Sequence, residues 1–290
     1  MNPFSKEFLL AISRPVVIQP FRVMTGPCRV LPDFMIIGCM RGGTTSLYTY
    51  LVEHPSIVSA STKEVHYFDR YFPKGMNWYK AHFPTFFCKA YMTRLTRIPF
   101  VTGEATPYYL FHPLAIKRIH ALIPGVKLIV LLRNPVDRAF SHYLLEVGIK
   151  NETLRFEVAL EREETRLQGE ADKIRRDDGY YSFNYQHYSY LTRGLYLRQI
   201  QDVLSYFSKD QLLIECSEEF YADPYKTVKR VLEFLNLPDW KQEKYDQYNS
   251  SLYALKEPMS EDLRKRLIEY FRPHNEQLYQ FLGRRFDWDR

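Results

Sequence analysis

The stretch Gly38-Cys39-Met40-Arg41-Gly42-Gly43-Thr44-Thr45 concentrates glycines, one cation and two hydroxyls. A glycine-rich turn between a strand and a helix presents backbone N–H groups and a helix N-terminus to an anion. Laid over the nucleotide pattern GxxxxGK[ST], Gly38 and Gly43 supply the glycines and Thr45 the hydroxyl. Thr44 stands where the lysine belongs, and the cation has moved to Arg41. A phosphate cradle survives this change. The lysine that reaches β- and γ-phosphates does not, so the loop suits nucleotide binding without ATP-type phosphoryl transfer.

A second group is Arg133-Asn-Pro-Val-Asp-Arg138-Ala-Phe-Ser141. Arg133 ends an apolar run and Ser141 lies two turns into the next expected helix. A guanidinium fork at a strand's carboxyl end, with a hydroxyl nearby, suits a phosphate. Two anion sites at one sheet edge suit a nucleotide with phosphates at both ends of its ribose. The third group is Lys63-Glu64-Val65-His66-Tyr67-Phe68-Asp69. Read as a strand, it places Glu64 and His66 on one face and Lys63 on the other, and a carboxylate beside an imidazole is a proton-accepting pair.

These groups need a scaffold. Phe34-Met-Ile-Ile-Gly38 reads as a buried strand, Thr44 to His54 as a helix, and Lys127-Leu-Ile-Val-Leu-Leu-Arg133 as a central strand covered on both faces. Pro135 behind the cap Asn134 opens a helix to about Glu146. Short strands are expected at Ile57–Ser59, Lys63–Phe68, Phe100–Gly103 and Leu212–Cys216. Helices are expected at Asn77–His82, His112–Ile123, His187–Phe207, Asp223–Leu235, Ser260–Arg272 and Asn275–Leu282. Residues 151–180 begin as a helix and drift into a loop at Arg175–Gly179. Residues 1 to about 32 read as an aperiodic lead-in. The alternation predicts an α/β protein: a central parallel sheet flanked by helices, with a P-loop-like turn at its edge. Residues 1–31 form an extension and residues 32–290 one domain.

In this order and spacing the three groups resemble the PAPS-dependent sulfotransferases (PAPS is 3'-phosphoadenosine 5'-phosphosulfate), in the branch of the heparan sulfate glucosaminyl sulfotransferases and their bacterial relatives. Gly103-Glu-Ala-Thr-Pro-Tyr108, Arg193-Gly-Leu-Tyr196, Leu212 to Leu237 and Arg272-Pro-His-Asn275 to Phe286-Asp-Trp288 extend the similarity to residues 32–290. The resemblance implies a phosphosulfate-binding loop at Arg41, Gly42, Gly43, Thr44, Thr45 and Ser46, and a 3'-phosphate site at Arg133 and Ser141. Arg193 and Tyr196 would line the nucleotide site. Glu64, or His66, would be the base, and Arg41 and Lys63 would stabilise charge in an in-line transfer with PAP as product and no metal. The acceptor would be a hydroxyl, or an amine, on a carbohydrate or glycosaminoglycan-like substrate, with a small-molecule or lipid alcohol as the alternative. A nucleotide kinase and a non-catalytic binder of anionic glycans are the competing classes. The chain departs from the glycan enzymes in carrying Arg41 where many have Lys. It also has Asn249-Ser-Ser-Leu-Tyr-Ala-Leu-Lys256-Glu-Pro-Met-Ser where they have a basic, disulfide-closed loop.

Composition sets the bounds. The 290 residues suit one large α/β domain, 46% are hydrophobic, and 23 Tyr with 20 Phe fit pockets for polar ligands. A net charge of +6 suits an anionic partner. Cys28, Cys39, Cys88 and Cys216 lack metal-ligand spacing and read as free thiols. Phe8-Leu-Leu-Ala-Ile12 is too short and interrupted to serve as a signal peptide or a span. A soluble protein without a nucleic-acid partner is expected, cytoplasmic or in a secretory lumen. The sequence sets no oligomeric state.

Overall fold

The computed structural model describes residues 15–97, 99–246 and 258–288. Five strands form one all-parallel sheet: β1 (Phe34–Gly38), β2 (Ile57–Ser59), β3 (Val101–Ala105), β4 (Lys127–Leu132) and β5 (Leu212–Cys216), in the order β2-β3-β1-β4-β5. The expected architecture therefore stands, with β1 in the middle and β4 beside it. The alternation of a strand explains the two cores. Met35, Ile37, Leu128, Val130 and Leu132 face one side, against Ile116, Ile119, Tyr196, Ile200 and Val203. Phe34, Ile36, Ile129 and Leu131 face the other, against Leu47, Leu51, Val228 and Val231. Strands buried on both faces read as near-continuous apolar runs, as at Phe34–Gly38 and Leu128–Leu132.

Local signals set the helices that carry the site. Thr44–Glu53 leaves β1 through the glycine loop. Pro135–Gly148 leaves β4, with Pro135 in its first turn and Asn134 Oδ1 accepting from the Val136 N–H at 3.0 Å. Pro224–Phe234 is capped by Asp223, whose Oδ1 accepts from the Lys226 N–H at 3.1 Å.

Several expectations are corrected. Lys63–Phe68 is not a strand: residues 60–66 are irregular, and a π turn follows at Tyr67–Tyr71. His66 takes a left-handed φ of 53°, and the Val65 and Tyr67 N–H groups bond to side chains rather than to a strand. The long helix expected at His187–Phe207 is three short pieces, Phe183–His187, Thr192–Gly194 and Tyr196–Tyr206. The two C-terminal helices are one, Glu261–Leu282, with Pro273 inside it. Leu263, Leu267, Phe271, Asn275, Leu278 and Tyr279 make one continuous buried stripe, so packing overrides the hydrogen bond that proline removes. Helices at Pro15–Met24, Phe86–Thr96 and Glu170–Arg176 were not anticipated. In Phe86–Thr96 the apolar residues Phe86, Phe87, Tyr91 and Leu95 are exposed, so no buried stripe announces the helix. The Phe8–Ile12 patch and residues 249–257 lie outside the described residues. Among the described residues no helix is long and apolar enough to cross a membrane.

Candidate active site

The sheet's carboxyl edge opens into a cavity of about 570 Å³. Met40, Arg41, Gly43, Thr44, Thr45, Ser46, Lys63, Glu64, His66 and Arg133 contribute to its walls. Thus the turn, the strand-end arginine and the Lys63–His66 segment, far apart in sequence, share one space.

The glycine loop is held by backbone. The Cys39 N–H donates to Leu131 O at 2.9 Å, and the Gly42 N–H donates to Cys39 O at 3.0 Å. A Cβ on Gly42 would lie 2.6 Å from Leu131 O and 2.8 Å from Cys39 Sγ, so only glycine fits. Gly43 caps the following helix at φ 93° and has no side chain to cover its first N–H groups. Thr44, Thr45 and Ser46 form that first turn, at the positive end of the helix dipole. This donor set fits the phosphosulfate of PAPS.

The second anion group is interlocked with the loop. Arg41 Nε donates to Ser141 Oγ at 2.8 Å, and Arg133 Nη1 donates to Arg41 O at 2.9 Å. Ser141 is fully buried and reaches the site through Arg41, whereas Arg133 lines the cavity itself. Behind Arg133, Tyr196 Oη donates to the Arg133 carbonyl at 2.7 Å. Glu218 Oε1 accepts from the Asn134 N–H at 2.8 Å and Glu218 Oε2 from Trp288 Nε1 at 3.2 Å.

Arg193 and Tyr196 are placed differently from the expectation that they line the nucleotide site. Both are buried, and neither is among the cavity-lining residues. The Arg193 guanidinium donates to Gln186 O at 2.7 Å and to Met40 Sδ, and lies over the Tyr108 ring at 5.0 Å. Met40, Tyr108 and Gln186 do line the cavity, so Arg193 braces its wall from behind. Gly42 is also buried beneath the surface that Gly43 and Thr44 present.

The Lys63–His66 segment is held by charge. Glu64 Oε1 accepts from Lys63 Nζ at 2.8 Å, and its Oε2 lies 3.3 Å from His66 Nε2. On the other side His66 Nδ1 lies 2.7 Å from buried Asp69. Lys63 and His66 thus both meet Glu64, which the strand reading did not allow. Burial alone would push the Glu64 carboxyl up, but the His66 hydrogen bond and the Lys63 ammonium hold it at about 2. Burial disfavours the imidazolium, yet hydrogen bonds to Asp69 and Glu64 raise His66 to about 10. At neutral pH Glu64 is ionised and His66 is protonated.

Sequence reasoning missed further wall residues: Pro107, Tyr108, Asp137, Leu145, Gln186, Ser217, Glu218 and Tyr221. Ser217, Glu218 and Tyr221 follow β5, and the rule that ligands sit beyond the carboxyl ends of parallel strands was enough to flag them. Among the described residues no cluster of three or more His, Cys, Asp or Glu is placed to hold a metal, and the four cysteines form no disulfide.

Residues 31–266 match the sulfotransferase domain family. The chain is 30% identical over 281 residues to human heparan sulfate glucosamine 3-O-sulfotransferase 6, covering 90% of this chain and 74% of that one. It is 26% identical over 328 residues to the membrane-associated sulfotransferase kil1 of Dictyostelium discoideum, covering 91% and 68%. A solved sulfotransferase from Alicyclobacillus acidocaldarius superposes with a TM-score of 0.66 at 31% identity, covering 90% of this chain and all of that one.

Proposed function

Since the chain belongs to the sulfotransferase family and is an enzyme of the PAPS-dependent class, we propose that it sulfates a hydroxyl, or an amine, on a glycosaminoglycan-like carbohydrate, with residues 32–290 acting as one catalytic domain. The observation that carries this reading is the shared cavity: an anion-binding loop, Arg133 and an ionised carboxylate open into one space. The similarity to 3-O-sulfotransferases supports the glycan acceptor.

In the reading we favour, the Gly42–Ser46 turn and Arg41 hold the phosphosulfate, while Arg133, with Ser141 behind Arg41, holds the 3'-phosphate. Glu64 accepts the acceptor's proton as its oxygen bonds to sulfur; the bond from sulfur to the 5'-phosphate oxygen breaks, and PAP leaves with that electron pair. Lys63 and Arg41 neutralise the charge that develops on the sulfonate and leaving oxygens, and catalysis is mainly positioning and electrostatics. The protonated state of His66 favours Glu64 over His66 as the base. As Lys63 turns from Glu64 toward the sulfonate, Glu64 loses one of the groups that depress it and becomes the stronger base.

Transfer of labelled sulfate from PAPS tests the reading against heparan sulfate oligosaccharides, a simple phenol and a lipid alcohol. Labelling of the oligosaccharides supports it, and labelling of the phenol or lipid alone replaces the acceptor. A thermal shift with PAP exceeding that with ATP and magnesium separates it from a nucleotide kinase.

A further inference from the structure

Glu104, in β3, is a fully buried carboxylate that the mechanism above leaves unused. Three hydroxyls donate to it: Tyr79 Oη at 2.5 Å, Thr106 Oγ1 at 2.8 Å and Tyr109 Oη at 3.3 and 3.4 Å from the two oxygens. Two of these hydroxyls accept in turn from backbone. The Val65 N–H donates to Thr106 Oγ1 at 3.2 Å, and the Tyr67 N–H donates to Tyr109 Oη at 3.0 Å. Val65 lies between Glu64 and His66, and Tyr67 follows His66, so one relay anchors the backbone between the two side chains and the other anchors it just beyond His66.

The direction of these bonds matters. A hydroxyl has one proton, and giving it to Glu104 leaves the oxygen's lone pairs for the amides. A carboxylate has sites for all three donors, and such chains strengthen one another in a low-dielectric interior. Among the described residues the segment has no strand partner, and it bends at His66 into a left-handed conformation, so side-chain relays take over the work of a sheet. A buried carboxylate is costly unless it is well bonded, and burial pushes Glu104 up to about 7 against the pull of the Tyr79 and Thr106 hydroxyls.

We propose that Glu104 is a positioning residue for sulfuryl transfer: through the Thr106 and Tyr109 hydroxyls it fixes the Val65 and Tyr67 amides, and so sets how Glu64 and His66 enter the cavity. The inference rests on the reading of Glu64 as base. Glu104→Gln keeps the shape but turns an NH₂ group toward hydroxyl donors. It is expected to lower kcat by about 10- to 100-fold, the scale of a misplaced catalytic group, with KM for PAPS and the thermal shift by PAP unchanged. Amide exchange should quicken by about tenfold at Val65 and Tyr67 while Thr44–Ser46 hold their protection. In a Glu64→Gln background the same change should cost no further rate, because residues acting through one group are not additive. Thr106→Val and Tyr109→Phe each cut one relay; they decide the matter if Glu104→Gln does not fold, each loosening its own amide. Wild-type kcat and wild-type exchange in these variants would overturn the proposal, as would a parallel loss of kcat, PAP binding and melting temperature. Full activity in Glu64→Gln would remove the base assignment alone, and exchange at Val65 and Tyr67 would still decide the role of Glu104.

Discussion

The glycine loop and the Lys63–His66 segment line the same cavity but are held in different ways. The loop is a continuation of β1: its geometry comes from main-chain bonds to Leu131 and Cys39, from Gly42, which has no room for a side chain, and from Gly43 at φ 93°. The Lys63–His66 segment has no such frame. Its shape comes from hydroxyl relays below and from the charges of Lys63, Glu64, His66 and Asp69 around it. In the proposed reading, holding the donor anion falls mainly to the loop's backbone, and proton handling, which needs tuned charge, to side chains. Damage to the loop's backbone should weaken donor binding, and damage to the charged groups, Arg41 among them, should slow the chemistry.

After loss of the base itself, the largest effect is expected at Arg41. Arg41→Ala should lower kcat by about 10²–10³-fold, as loss of a charge-stabilising donor does elsewhere, and a transfer assay at saturating PAPS checks it. Gly42→Ala comes next. Its methyl meets Leu131 O and Cys39 Sγ at under 3 Å, so the thermal shift by PAP should shrink or vanish. An unchanged shift would mean that the loop does not hold the nucleotide.

Arg193→Met probes the wall behind both regions. It removes a charged donor from the part-buried Gln186 carbonyl, and a hydrogen bond to a charged group contributes about 1.5–3 kcal/mol. Denaturant unfolding should show that loss. A large fall in PAP affinity with stability intact would instead place Arg193 on the nucleotide.

The smallest effect is a pH dependence. His66 is raised above its ordinary value to about 10, so its pairing stabilises the fold fully below about 6.5 and loses that contribution as pH rises toward 10. The melting-temperature gap between wild type and His66→Asn should therefore be widest near pH 6 and close by pH 10. A gap that does not narrow would show that the His66 charge is not held by Glu64 and Asp69.

The same contrast explains what the sequence made legible. β1, β4, the Asn134-Pro135 helix start and the loop were readable because strand burial, capping and glycine chemistry are local. Arg41, Arg133 and the Gly42–Ser46 turn fall together for that reason. The Lys63–Phe68 segment was misread because its donors find Thr106 and Tyr109 about forty residues away, which no local pattern encodes. Arg193 and Tyr196 carry polar groups of the kind that line sites, yet both spend them on carbonyls inside the wall. The C-terminal helix reads in the sequence as two, Ser260–Arg272 and Asn275–Leu282, because the gap at Pro273 hides the buried stripe that runs through it.

The account turns on Glu64 handling the proton while the loop and Arg133 hold the donor. Single-turnover transfer from pre-bound labelled PAPS, measured with PAP affinity on wild type and Glu64→Gln, tests this most directly. The expected result is unchanged PAP affinity with transfer slowed by about 10²–10⁴-fold, the range for loss of a general base. Transfer at the wild-type rate, or loss of PAP affinity together with rate, would contradict it.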